Sequence, residues 1–303
     1  MTDRIRVGEE VAAALDRGGA VVALETSVIG QGLPHPRNLE CLERMSNAIR
    51  AAASVPAWVG VVDGEIVVGL GEDELGRFAE PGRAEKVARR DLPVACARGG
   101  LGATTVSATI WAAARVGILV GATGGIGGVH LGNRDDVSAD LVELSRIPGL
   151  LVCSGPKSIV DPVSTIERLE ALGVSVVGYR TGRLPGFLAA ETSVGLEHQI
   201  ETADEAADAL GAAIDLGTAS TILVCNPVPA ELAMDPDEVA AATRRAEERA
   251  ASEDVRGREV TPYLLARLAE ETGGRSLEAN LALLESNAAL AGDIARLASR
   301  PRD

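Results

Sequence analysis

Lys157 stands in the turn Ser154-Gly155-Pro156-Lys157-Ser158, directly after the apolar run Leu150–Cys153. A lysine stripped of water at such a place is a candidate amine nucleophile; a loop lysine that reaches back to solvent is the plain alternative. Glu25 follows Val21-Val22-Ala23-Leu24 without a break. A carboxyl desolvated there suits proton transfer, and a helix cap or a solvated strand end is the other reading. Two more apolar runs end in polar residues. Ile118–Ala122 leads into Thr123-Gly124-Gly125-Ile126-Gly127-Gly128-Val129-His130, and Thr221–Cys225 leads into Asn226-Pro227. Open α/β sheets bind ligands beyond the carboxyl ends of their strands. An acid, a glycine-rich loop, a lysine and an amide are therefore expected on one rim.

The glycines of the Thr123–His130 loop have the wrong spacing for a dinucleotide fingerprint, G-x-G-x-x-G. Backbone amides that approach an anion suit the loop better. His130 either orients a substrate or is a hydrogen-bonded structural residue. Asn133–Asp140 carries Asp135, Asp136 and Asp140. That set suits a hard cation such as Mg²⁺ or Mn²⁺, or it is the acidic start of a helix. Zinc is excluded by scattered histidines and unpaired cysteines. Lys86, in the basic stretch Arg83–Asp91, is either a phosphate partner or part of a solvated helix face. The run Gly99–Thr105 is expected to open a helix, whose N-terminus is a ready anion site.

These residues need elements to hold them. Short apolar runs alternate with helical spacing, as in Asn38–Ala53, Thr104–Val116, Ser138–Arg146, Ser164–Leu172 and Ala203–Leu216. Asp63-Gly64 between Trp58–Val62 and Glu65–Val68 is a two-residue hairpin signal. Pro93–Ala97 is read as a buried strand. Asp235-Pro236 starts a charged helix, and Thr261–Glu271 and Ser276–Ala298 close the chain. Near-continuous apolar strands suit a sheet covered on both faces. The fold class is therefore α/β: a single α/β/α layered domain over residues 1–303 with a central, mostly parallel sheet.

Composition narrows the partners. Hydrophobic residues make up 46% of 303, which allows a large core, but aromatics only 2%, too few for base-stacking platforms. The net charge of −15 opposes binding to nucleic acid. The cysteines, Cys41, Cys96, Cys153 and Cys225, read as reduced core residues of a reducing compartment. Met1–Glu10 has no secretion signal, and no run is long enough to span a membrane. A cytoplasmic enzyme is expected.

The runs Val22–Ser27, Gly102–Val106, Ala122–His130, Val137–Asp140 and Gly155–Ile159 resemble the pseudouridine-5′-phosphate glycosidase family, also called indigoidine synthase A-like. Asn226–Pro229, Thr261–Leu265 and Thr272–Asn280 continue the match in order, so it covers the chain from about Val21 to Ala291. The resemblance implies an indigoidine synthase A-like fold, usually a homotrimer, and cleavage of pseudouridine 5′-phosphate with water to uracil and ribose 5-phosphate. By position it implies Lys157 as nucleophile on C1′ and Glu25 as proton donor and acceptor. It implies Asp136 as the carboxylate for Mn²⁺ (or Mg²⁺ or another divalent ion). Lys86, Val106, Ser138, Ala139 and Asp140 would contact the substrate. Thr123, His130 and Asn280 would line the site.

The chain departs from the family pattern at Thr26-Ser27, at Ser154-Gly155-Pro156 and at His35. Pro156 would change the entry angle of Lys157, and His35 the selectivity for the base. Rival readings are a glycosidase of this family acting on another C- or N-ribosyl phosphate, and a non-catalytic phosphosugar-binding protein. The base pocket would separate the first; retention of Glu25, Asp136 and Lys157 speaks against the second. A Schiff-base aldolase fits the lysine but not its surroundings.

Overall fold

The computed structural model describes residues 4–131, 134–255 and 260–300; Asn133 of the acidic stretch lies outside them. A short strand, β1 (Ile5–Val7), and helix α1 (Glu9–Asp16) lead into β2 (Val21–Glu25), buried along its whole length. A π-helical turn, Val28–Gly32, and α2 (Arg37–Ala51) follow. Then come β3 (Val55–Val62) and β4 (Glu65–Val68), the expected antiparallel hairpin. Its turn has φ of 49° at Asp63 and 95° at Gly64, as a type I′ turn requires.

Next are α3 (Glu72–Ala79), β5 (Glu85–Val87), α4 (Leu92–Arg98), β6 (Leu101–Thr104) and α5 (Val106–Arg115). The middle of the chain forms β7 (Val120–Ala122), β8 (Val129–His130), α6 (Ala139–Leu144), β9 (Gly149–Cys153), β10 (Val160–Asp161) and α7 (Pro162–Ala171). β11 (Val176–Tyr179), β12 (His198–Ile200), α8 (Ala203–Leu216) and β13 (Thr221–Cys225) follow, then α9 (Pro236–Ser252), α10 (Val260–Glu271) and α11 (Arg275–Ala298).

The main sheet runs β1-β4-β3-β2-β7-β9-β13-β11-β12, with every pairing from β3 to β12 parallel. Both faces are covered. Val22 and Leu24 of β2 join the core under α2 and α11, whereas Val21 and Ala23 join the core under α1 and α5. Two-sided burial is why these strands read as unbroken apolar runs. β3 outruns β2: Val55–Val59 pair with β2, and Gly60–Val62 pair with β6. Thr26 closes that junction. Its hydroxyl donates to the Val59 carbonyl at 2.7 Å and accepts from the Thr104 amide at 2.9 Å.

Three expectations need correction. Pro93–Ala97 is not a strand but the body of α4, with Pro93 in the first turn, where a missing N–H costs nothing. Lys86 is on a strand, β5, not on a helix face. Gly99 and Gly100, at φ of 76° and 86°, lead into β6 rather than opening a helix; α5 begins after Thr105.

Candidate active site

The sheet register sets Leu24, Ala122, Val152 and Val224 in one row. The four exits therefore emerge side by side, as expected. Glu25 is 2% exposed, and two hydroxyls hold it. Thr123 Oγ1 donates to Oε1, and Ser27 Oγ donates to Oε2 at 2.5 Å. The order Thr26-Ser27 thus has a local reason: Thr26 fastens β2 to β6 and Ser27 turns back to the carboxyl. Lys157 is half-buried in a turn fixed by its backbone. Its N–H donates to Ile126 at 3.0 Å, and its carbonyl accepts from Val160 at 3.1 Å. Gly155 makes the turn possible: φ is 83°, and a Cβ there would lie 2.3 Å from the Pro185 carbonyl oxygen. Pro156 bridges to Ile126 alongside it.

Two lobes meet at these residues. The larger, about 690 Å³, is polar and is lined by Lys86, Arg90, His130, Asp136, Ser138, Ala139 and Asp140 as well as Glu25 and Lys157. The smaller, about 40 Å³, is lined by Val28, Leu33, Phe187, Leu265 and Leu284, with Thr123 and Asn280. Glu25, Lys86 and Lys157 line both. Lys86 and Lys157 are also the only lysines in the chain; the other cationic residues of its 29 are arginines.

Burial pushes the Lys86 ammonium below its ordinary 10.5. The nearby Lys157 charge adds to this, and Asp140 and Glu25 oppose it. Since the folded value is the lower one, the unfolded chain holds more protons between the two values, and this charge costs stability at neutral pH. Lys86→Met is therefore expected to raise the melting temperature of the ligand-free protein at and below neutral pH. The gain should fade towards pH 10.5, where the unfolded lysine is also neutral. The same variant should bind a phosphorylated substrate about 10- to 100-fold more weakly. Melting curves across pH, with KM, check both.

Other residues have more structural work than expected. Asp140 is 5% exposed, and its two oxygens accept from Ser107 N and Gly127 N, both at 3.0 Å. The loop amides expected to meet an anion are thus partly spent inside the protein: Ile126 N pairs with Gly155 O and Gly127 N with Asp140. At Gly127 a Cβ would lie 2.4 Å from Ser138 Oγ, so this glycine serves close packing. Ser138 caps α6, accepting from Asp140 N at 3.2 Å. The Val106 side chain, at the start of α5, is in the core and not on the cavity wall. His35 is exposed and lines a separate apolar cavity of about 540 Å³.

Asp136 is exposed at the rim of the polar lobe. Among the described residues no group of three or more His, Cys, Asp and Glu side chains converges. One rim carboxylate suits an Mg²⁺- or Mn²⁺-like ion held largely by water and substrate phosphate, not a protein-built cage.

The family model described as indigoidine synthase A like protein matches residues 10–297. The chain belongs to this family. It is 48% identical to a Gemmatimonas aurantiaca protein named pseudouridine-5′-phosphate glycosidase, over 96% of this chain and 95% of that one. It is 47% identical to a Symbiobacterium thermophilum protein of the same name, over 94% and 95%. The solved indigoidine synthase A-like protein of Thermotoga maritima superposes with a TM-score of 0.89 at 41% identity, covering 98% of this chain and 97% of that one. The prealnumycin C-glycosynthase AlnA, solved in complex with ribulose 5-phosphate, also gives 0.89, at 37% identity over 99% and 98%.

In this member of the indigoidine synthase A-like family, the rim amide does not face the cavity. Asn226 Nδ2 donates to Ser286 Oγ and Asn287 Oδ1, each at 3.0 Å. Asn287, fully buried on α11, is a residue that sequence reasoning missed. Its Nδ2 donates to Thr123 O at 2.9 Å and Ser154 Oγ at 3.0 Å. One amide thus ties together the exits of β7, β9 and β13. Asn287→Ala leaves several buried polar groups unpaired and is expected to cost about 3 kcal/mol of stability, measurable by denaturant unfolding. Phe187 and Thr261 were missed as well, being far in sequence from the strand exits. The four cysteines are free and buried. Burial pushes the Cys41 and Cys96 thiols up, which makes them poor nucleophiles.

Proposed function

We propose that the chain is a C-glycosidase that cleaves pseudouridine 5′-phosphate, reversibly, to uracil and ribose 5-phosphate. The observation that carries this reading is that Glu25 and the chain's two lysines form the shared wall between a polar lobe and an apolar one. The names of the relatives at 47–48% identity support it.

In this reading the phosphosugar lies in the polar lobe, its phosphate towards Lys86 and the arginines that line the lobe beside it, Arg83, Arg90 and Arg98. The base lies in the apolar lobe. AlnA's complex with ribulose 5-phosphate supports a pentose phosphate as the ligand. The bond to be cut joins C1′ to C5 of uracil and offers no leaving heteroatom to protonate, so two-carboxylate hydrolysis is unsuited. Lys157 attacks C1′ as its neutral amine, the ring oxygen leaves C1′ and takes a proton from water, and Glu25 takes the proton that the attack leaves on the nitrogen. Glu25 passes that proton to C5 of uracil, and the nitrogen lone pair forms an iminium as the C1′–C5 bond breaks and its electrons restore the C5–C6 double bond. Water adds at C1′, returns a proton to solvent, frees Lys157 and leaves ribose 5-phosphate. Asp136 would hold the Mn²⁺, or a similar divalent ion, which would neutralise phosphate charge. A homotrimer in the cytoplasm belongs to the same reading; among the described residues no helix is long and apolar enough to cross a membrane.

A second reading, a different ribosyl phosphate, draws on the likeness to a prealnumycin C-glycosynthase. The test is uracil release by the purified protein with Mn²⁺, from pseudouridine 5′-phosphate and uridine 5′-phosphate in parallel. Release from the first alone is expected. Release from neither would overturn the uracil reading and favour the second.

A further inference from the structure

We propose that Gln31 selects the departing base, by accepting a ring N–H of uracil on its side-chain carbonyl oxygen. The inference rests on the glycosidase reading and adds to it the residue that reads the base. Gln31 belongs to the π-helical turn Val28–Gly32, which directly follows Glu25-Thr26-Ser27. Such wide turns recur at functional sites. Its Nε2 donates to the Ala84 carbonyl at 2.9 Å. That bond fixes the amide, because the reverse orientation would set two carbonyl oxygens against each other. Oε1 is left buried, with no hydrogen-bond partner among the described residues.

A buried acceptor with nothing to accept is costly, so its place matters. Gln31 lines the small apolar lobe together with Glu25 and Lys157. It also lines the larger apolar cavity behind, of about 540 Å³. Leu33, Phe187 and Leu265 border both spaces and bring only apolar side chains to them. Asn280 also borders both spaces, and Thr123, Thr261, Lys86 and Lys157 line the small lobe, but none of them donates to Oε1, so the donor is to come from what enters the lobe. A uracil linked through C5 keeps both ring N–H groups, whereas one linked through N1 keeps a single N–H. A site built round an acceptor discriminates strongly against a base that cannot fill it.

The experiment compares wild type with Gln31→Met, which keeps length and removes the acceptor. Uracil or methyluracil release is followed from pseudouridine 5′-phosphate and from its N1-methyl and N3-methyl derivatives. We expect the variant to lose about 10- to 100-fold in kcat/KM on the parent substrate, mostly through KM. We also expect one of the two methylation penalties of the wild type to shrink by a similar factor in the variant, with inhibition by ribose 5-phosphate unchanged. Equal penalties in both proteins would overturn the assignment while leaving the glycosidase reading intact. A wild type that releases no uracil from the parent would overturn that reading first. Should Gln31→Met fail to fold, the wild type decides alone: accepting both methylated substrates as readily as the parent would overturn the assignment, and rejecting one would support it.

Discussion

The Lys157→Ala protein is expected to release no uracil at any pH while keeping the circular dichroism of the wild type and melting no lower than it. The turn is held by backbone bonds to Ile126 and Val160 and by Gly155, so the side chain can be removed without disturbing it. The chain makes the assignment unusually testable. Arginine stays protonated in proteins and cannot form an iminium, and the sequence holds no lysine besides Lys86 and Lys157. Borohydride reduction in the presence of ribose 5-phosphate should therefore fix a pentose phosphate on one peptide. We expect it on Lys157, which leaves β9 beside Phe187 and the glycine loop. Lys86 is the rival, because burial already lowers the cost of its neutral form. It sits by the cationic end of the polar lobe, where a phosphate needs its charge. An adduct on Lys86 would exchange the two roles. Full turnover by Lys157→Ala would remove Lys157 as the nucleophile, and full turnover with no adduct on either lysine would remove the covalent mechanism altogether.

What could be read in the sequence follows from burial. Strands covered on both faces must be apolar throughout, so Ala20–Leu24, Leu150–Cys153 and Thr221–Cys225 announced themselves, and with them Glu25, Lys157 and Asn226 at or just beyond their ends. Ala203–Leu216 was legible to the residue because Thr202 caps its start and Gly217 ends it in the left-handed region. The excursion β5–β6 was not legible. Its strands are short, and β6 pairs with the end of β3 only because β3 outruns β2.

The Pro93–Ala97 run shows the ambiguity of a short apolar stretch, which periodicity cannot assign to helix or strand. The apolar lobe was invisible for another reason. Gln31, Phe187, Leu265 and Leu284 are brought together by packing alone, across most of the chain. Asn287 looks like any polar residue on a helix until α11 is laid over the sheet. The one signal that was present and unread is the lysine count: a chain that uses arginine for every other cation places its two lysines at one cavity.

Glu25→Gln separates the two halves of the proposed chemistry. Glutamine keeps the shape of the side chain, and the Thr123 and Ser27 hydroxyls that hold it can turn to accept as well as donate. The fold and substrate binding should therefore survive, with KM close to that of the wild type. The proton carrier is gone, so kcat should fall by about 10²–10⁴-fold. Lys157 is untouched, so reduction with ribose 5-phosphate should still label it. That pairing, a slow enzyme that still forms its adduct, is the signature of a lost proton transfer rather than of a damaged site. If the variant kept its rate, the two hydroxyl bonds would mark Glu25 as a clasp between β2 and the glycine loop. The proton for C5 would then have to come from another group on the polar lobe, and His130, the one histidine among the described residues that line it, is the nearest in kind.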